Sequence, residues 1–183
     1  MIKSNSEISD VLIIEPDVFS DSRGDFREIY DDEKYAMIGI PKIGKFNESY
    51  SHKGVIRGLH YQVEPFAQGK LVRVVFGKVQ DIAVDLRKSS KTFLKYVSTE
   101  LSRENKRQLW IPPGFAHGFL VQSDGAVFQY GCSNRYSKEH ERGILWNDPQ
   151  LGIKWDEKTS YMFGLSDKDK TWPLVKDATD FFK

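Results

Sequence analysis

The residues of this chain that could do chemistry fall in a few short segments. Its 183 residues include four histidines, His52, His60, His117 and His140, and one cysteine. His60 lies in VIRGLHYQ (Val55–Gln62), and His117 lies in WIPPGFAHGF (Trp110–Phe119). An imidazole titrates at about 6.5, so either can take up and return a proton near neutrality. Arg57 precedes His60 on the same segment, and Lys70 follows shortly after. Cations beside an imidazole are poor packing material unless an anion is to be bound. His52 and His140 sit in the polar stretches Ser49–Lys53 and Lys138–Arg142 and read as solvated surface residues. One thiol cannot build a disulfide framework or a thiolate zinc site.

Other candidates are plainer on their own. Tyr130 closes AVFQY before a glycine, and packing with a satisfied polar tip accounts for it, as for Tyr136 and Trp146. Asp169, in LSDKD, reads as a solvated charge at a helix start.

The elements that must position these residues are mostly short strands. Candidates are Val11–Glu15, Lys70–Phe76, Lys78–Leu86, Phe93–Leu101, Arg107–Ile111, Gly118–Gln122 and Ala126–Tyr130. Pro112–Pro113–Gly114 and Ser123–Asp124–Gly125 punctuate them. In Lys78–Leu86 the two-residue period puts Val79, Asp81, Ala83 and Asp85 on one face. Gln80, Ile82, Val84 and Leu86 lie on the other. Helical pattern is scarce: a short helix over Asp31–Met37, and a capping-box-like Ser166–Asp169 opening a turn near the C-terminus. Many short strands with Gly/Pro turns predict an all-β fold, a sandwich or barrel, with a jelly roll a common solution at this size.

Lys plus Arg number 27 against 26 Asp plus Glu, a net charge of +1. That balance argues against a nucleic-acid polymer as partner. No stretch approaches the ~18 apolar residues of a membrane span, and the expected compartment is cytoplasmic. No linker or repeat divides the sequence, so a single domain over residues 1–183 is expected.

The stretch from Pro112 to His117 reads P-x-G-x-x-H and resembles the second half of the two-part motif of the cupins, small jelly-roll barrels. The first half usually carries H-x-H, where this chain has His60–Tyr61–Gln62. Imidazole is the better transition-metal ligand, so the expectation is a cupin barrel with no metal.

Six segments together resemble one family, the dTDP-4-dehydrorhamnose 3,5-epimerases: DSRGDFREIY (Asp21–Tyr30), GVIRGLHYQ (Gly54–Gln62), Ala67–Ser90, ENKRQLWIPPGFAHGFL (Glu104–Leu120), ILWNDPQLGIKW (Ile144–Trp155) and LSDKD (Leu165–Asp169). The resemblance implies a cofactor-independent epimerase acting at C3 and C5 of a dTDP-4-keto-6-deoxyhexose. It implies His60 as general base, Asp169 as its orienting carboxylate and Tyr130 as general acid. Lys70 and His117 would meet the sugar near its keto group. Arg23, Glu28, Asn47, Arg57, Glu141 and Lys168 would contact the nucleotide and its diphosphate, and Tyr136 would stack on the thymine. Asp81 resembles a pocket carboxylate of less defined role. The resemblance also implies a homodimer with exchanged N-terminal strands, and an exposed apolar strand such as Val11–Ile14 would call for such cover. The chain departs from the family's pattern at Gly24–Asp25–Phe26, Lys45–Phe46–Asn47 and Gly131–Cys132–Ser133. Alternatives are a 3-only or 5-only epimerase, a ketoisomerase of another dTDP-deoxysugar pathway, a metal-dependent cupin, and a non-catalytic sugar-nucleotide-binding barrel.

Overall fold

Two antiparallel sheets face each other across a shared interior. The computed structural model describes residues 2–156, 158–159 and 164–183. In chain order the elements are β1 (Ile2–Asn5), β2 (Leu12–Glu15), β3 (Phe19–Asp21), β4 (Gly24–Phe26), α1 (Asp32–Ala36), β5 (Lys45–His52), β6 (Ile56–Gln62) and β7 (Lys70–Phe76). They continue as β8 (Lys78–Asp85), β9 (Tyr96–Ser102), β10 (Gln108–Ile111), β11 (Phe115–Val121), β12 (Gly125–Cys132), β13 (Glu141–Gly143) and α2 (Asp167–Lys170). One sheet has the order β1-β2-β10-β7-β12-β5 and the other β13-β6-β11-β8-β9. The pair β3–β4 forms a separate hairpin. The all-β expectation holds, with helices confined to short pieces, although α1 lies near the N-terminus.

Strand alternation explains how the layers assemble. In β7, Val72 and Val74 enter the cluster between the sheets, while Leu71 joins Trp110, Ile14 and Tyr35 on the outer face. In β8, Val79 and Ala83 point to the same inner cluster. Ile82 and Val84 point outward, beneath Trp155, Val175 and Leu151. Both faces of β8 are therefore buried, one by the opposite sheet and one by the C-terminal segment. Burying a Val or Leu side chain stabilises the fold by roughly 1.5–3 kcal/mol, and three such clusters hold the layers together.

The strand Val11–Ile14 is not exposed. Val11 and Ile14 are fully buried, and β2 is flanked by β1 and β10. Among the exposed apolar residues are Phe19 and Phe26 of the β3–β4 hairpin, 65% and 70% exposed. Asp81 and Asp85 are both fully buried, so neither forms a solvated face of β8. The region Phe93–Leu101 becomes strand only from Tyr96, because Leu94 takes a positive φ of 62° in the turn before it. Among the described residues, no helix is long and apolar enough to cross a membrane.

Asp85 ties β8 to the turn that follows. Arg87, Ser90 and Thr92 all donate to its carboxylate, at 2.6–3.0 Å. Burial pushes this carboxyl up, but those donors outweigh it and bring it down to about 2. An unfolded Asp titrates at about 3.9. The folded value is the lower one, so the stabilisation is complete above the unfolded value and is lost as pH falls through about 2. Urea unfolding midpoints measured from pH 6 to pH 2 should show a shallower acid decline in Asp85→Asn than in the wild type, together with lower stability at pH 6.

Candidate active site

The floor of the site is set by the pairing of β6 with β11. His60 and His117 are direct cross-strand partners, and the ladder is irregular just beyond them, between His117 and Phe119. Gly58 has φ 125°, a conformation that suits glycine. A Cβ there would lie 2.6 Å from Gly118 Cα and 2.7 Å from the His117 carbonyl oxygen. Backbone contact this close, with an interrupted register, aims both imidazoles toward one end of the barrel.

That end is a pocket of about 600 Å³. Its walls include His60 and Arg57 from β6, His117 from β11, Lys70 from β7, Tyr130 from β12, and Lys168 and Asp169 from α2. Phe119 and Phe128, stacked with centroids 4.1 Å apart, separate it from the packed interior. His60 and His117 come from the five-stranded sheet, whereas Lys70 and Tyr130 come from the six-stranded sheet opposite.

Each histidine holds a carboxylate. His60 Nε2 lies 2.5 Å from Asp169 Oδ1, across 109 positions of sequence. Asp169 is only 3% exposed, not the solvated charge its position suggests. Ser166 caps α2 by accepting from the Asp169 amide at 3.1 Å, which bears out the capping signal. Burial pushes the Asp169 carboxyl up, but hydrogen bonds with His60, Ser166 and Trp172 hold it below the usual range. With Nε2–H donated to this carboxylate, the proton-accepting lone pair of His60 lies on Nδ1. His117 Nε2 lies 3.0 and 3.1 Å from the two oxygens of Asp81. Burial pushes the His117 pKa down against the pull of Asp81. Lys70 Nζ donates to the His60 carbonyl at 3.4 Å, and burial lowers its pKa as well. Burial likewise raises the Tyr130 phenol.

The predicted nucleotide contacts divide. Arg57 lines the pocket while donating to Ser51 Oγ and the Tyr50 carbonyl. Near Lys168, Glu141 accepts from Lys168 Nζ at 2.5 Å and from Tyr136 O–H at 2.9 Å. Asn47 is the strand partner of Tyr130 and donates to Cys132 Sγ. Arg23 and Glu28 are not brought to the pocket: Arg23 is bound to Asp21 on the exposed hairpin, and Glu28 to Lys34. His52 is exposed as expected, but His140 is half-buried, 4.5 Å from the Phe66 ring, with Nδ1 bonded to Ser137 Oγ. Gln62, standing where an H-x-H motif would place its second histidine, is bound to the backbone of Phe66, Arg135 and Ser137. Among the described residues, no group of three or more His, Cys, Asp or Glu is arranged to hold a metal ion. Sequence reasoning missed Trp172, which donates to Asp169 Oδ1 at 3.3 Å; a lone tryptophan carries no signal of that contact.

A barrel of two facing sheets, closed by apolar packing at one end and open to ionisable groups at the other, is a fold of the cupin type. A model of the dTDP-4-dehydrorhamnose 3,5-epimerase family matches residues 5–177, and the chain belongs to that family of isomerases. A relative from Shigella flexneri, a dTDP-4-dehydrorhamnose 3,5-epimerase, is 54% identical over 97% of both chains. A Legionella pneumophila epimerase solved in complex with dTDP-4-keto-L-rhamnose superposes with a TM-score of 0.91 at 44% identity, covering 97% of this chain and 94% of that one. A 3'-monoepimerase from Streptomyces bikiniensis, in complex with dTDP-quinovose, superposes with a TM-score of 0.88 at 30% identity, covering 94% and 87%.

Gly58→Ala should force β6 and β11 apart beside both imidazoles. We expect a loss of about 1–3 kcal/mol in unfolding free energy, seen in a denaturant titration, and a change in the imidazole NMR signals of His60 and His117.

Proposed function

We propose that this chain is a cofactor-independent epimerase that inverts C3 and C5 of dTDP-4-dehydro-6-deoxy-D-glucose, giving dTDP-4-dehydro-L-rhamnose. The observation that carries this reading is the opposition of His60 and Tyr130 on the two walls of one pocket. Inversion at carbon requires a base on one face and an acid on the other. His60 Nδ1 takes the proton from a carbon beside the ketone. The C–H electron pair moves into the carbonyl, leaving an enolate with its charge on the 4-oxygen. Asp169 stabilises the imidazolium so formed, as carboxylates do in triads. The Lys70 ammonium faces the oxyanion, and burial makes its proton easier to share. The Tyr130 hydroxyl delivers a proton to the opposite face; the tyrosinate then regains one from solvent as His60 releases its own. His117, held by Asp81, adds a donor near the keto group. Arg57 and Lys168 supply positive charge for the diphosphate, with Asn47, Glu141 and Tyr136 beyond them toward the base.

We further propose a homodimer in which N-terminal strands cross to the partner, carrying Arg23 and Glu28 to its pocket. The exposure of Phe19 and Phe26, and the pairing of Arg23 with Asp21 outside the lining of its own pocket, support this. The likeness to a 3'-monoepimerase favours one second reading, epimerisation at C3 alone.

Incubation with dTDP-4-keto-6-deoxyglucose in D₂O, read by NMR, decides between these. Deuterium should enter at both C3 and C5. Uptake at one carbon supports the second reading, and no uptake at either sinks both. His60→Ala should lose roughly 10²–10⁴ of the exchange rate, and Lys70→Met about 10²–10³. Tyr130→Phe should keep the first exchange and block completion at C5. Light scattering should give a dimer for the wild type. A double Phe19→Asp, Phe26→Asp variant should be monomeric and poorly active, whereas a monomeric wild type removes the dimer proposal.

A further inference from the structure

Trp172 sits just beyond α2, where it touches three parts of the site at once. Its indole Nε1–H donates to Asp169 Oδ1 at 3.3 Å, the same oxygen that holds His60. Its ring stands edge-on to the His60 ring, with centroids 6.0 Å apart. The same ring carries Lys168 Nζ at 5.4 Å from its centroid. It also occupies the space where Gly143 would have a side chain, and Gly143 is the strand partner of His60.

We propose that Trp172 is a positioning residue for proton abstraction: its N–H shares one Asp169 oxygen with His60, and its ring fixes the separation of His60 from α2. The proposal rests on His60 being the base. The physical argument is competition. A carboxylate oxygen that accepts a second donor is less basic toward the first. Trp172 therefore limits how strongly Asp169 stabilises the imidazolium, leaving His60 free to accept its proton from carbon and then release it. The Ser166 hydroxyl also bonds to Asp169, and Lys168 is turned to Glu141, so the indole N–H is the donor that shares Oδ1 with His60.

The charged and titratable groups around His60 include Asp169 and Lys168 from α2, Glu141 from β13, Lys70 from β7, His117 from β11, Tyr130 from β12, Arg57 from β6 and Glu48 from β5. Trp172→Phe leaves all of them in place and keeps a ring against Gly143, while removing the N–H. The acidic limb of kcat/KM, followed by deuterium wash-in across pH, should then move up by roughly half a unit. Below that limb the rate should fall about threefold, with the plateau at higher pH retained. An NMR titration of the His60 ring in the folded, substrate-free protein should show the same upward shift. Should Trp172→Phe fail to fold, Gly143→Ala displaces the indole with the tryptophan intact, and the same upward shift is expected. A folded variant whose acidic limb and His60 titration are both unmoved overturns the proposal and leaves Trp172 as packing. No exchange by the wild type at any pH overturns instead the assignment of His60 as base.

Discussion

The hydrogen bond between His60 and Asp169 is the constraint on which the rest of this molecule turns. One partner is fixed in the middle of a barrel strand; the other rides on a four-residue helix that has no stability of its own. The helix is held from both sides. Upstream, Gly164 bridges to Val55 and accepts from the Ile56 amide. Downstream, Pro173 accepts from Leu145, the Val175 amide reaches the buried Asp148, and Phe182 bridges to Arg87 just past the end of β8. This chain of backbone bonds lets a carboxylate stay buried beside an imidazole in one orientation.

The barrel itself divides its interior into two unlike halves. At one end Val72, Val79, Leu101 and Leu109 pack together, each almost fully buried. At the other, past the stacked Phe119 and Phe128, the same strands give up apolar burial for ionisable groups. Lys70 and His117 are pushed toward their neutral forms by that half-dry environment. Holding ionisable groups in such surroundings is costly to the resting fold. The packed half supplies the stability that the open half lacks.

Much of this was readable in the sequence, for identifiable reasons. KLVRVVF, bounded by two glycines, gave its strand to the residue, because it is a short run rich in Val and Leu set between turn residues. β5, KFNESYSH, gave no strand signal: it is a sheet edge with mostly exposed side chains, and its pairing with β12 decides its conformation. The glycine-interrupted His60 strand owes its shape to contact with Gly118, which no local pattern encodes. Among site residues, His60, His117, Lys70, Tyr130, Asp169 and Arg57 do meet in one pocket. Arg23 and Glu28 do not: Arg23 is bound to Asp21 on the exposed hairpin, and Glu28 to Lys34. His140 reads as surface in the sequence because the Phe66 ring against it comes from a distant loop, and Trp172 escaped notice because its bond to Asp169, three residues earlier, depends on the turn that ends α2.

The two-sided burial of β8 and the late position of Asp169 have a consequence for synthesis. Chains fold progressively as they leave the ribosome. The strands that build the barrel are complete at Gly143, whereas the outward faces of Ile82 and Val84 stay uncovered until Trp155 and Val175 have been made. The nascent barrel therefore carries a sticky flank and an unoriented His60 at the same time. One late event, the docking of the C-terminal segment, ends both conditions, so solubility and competence are acquired together.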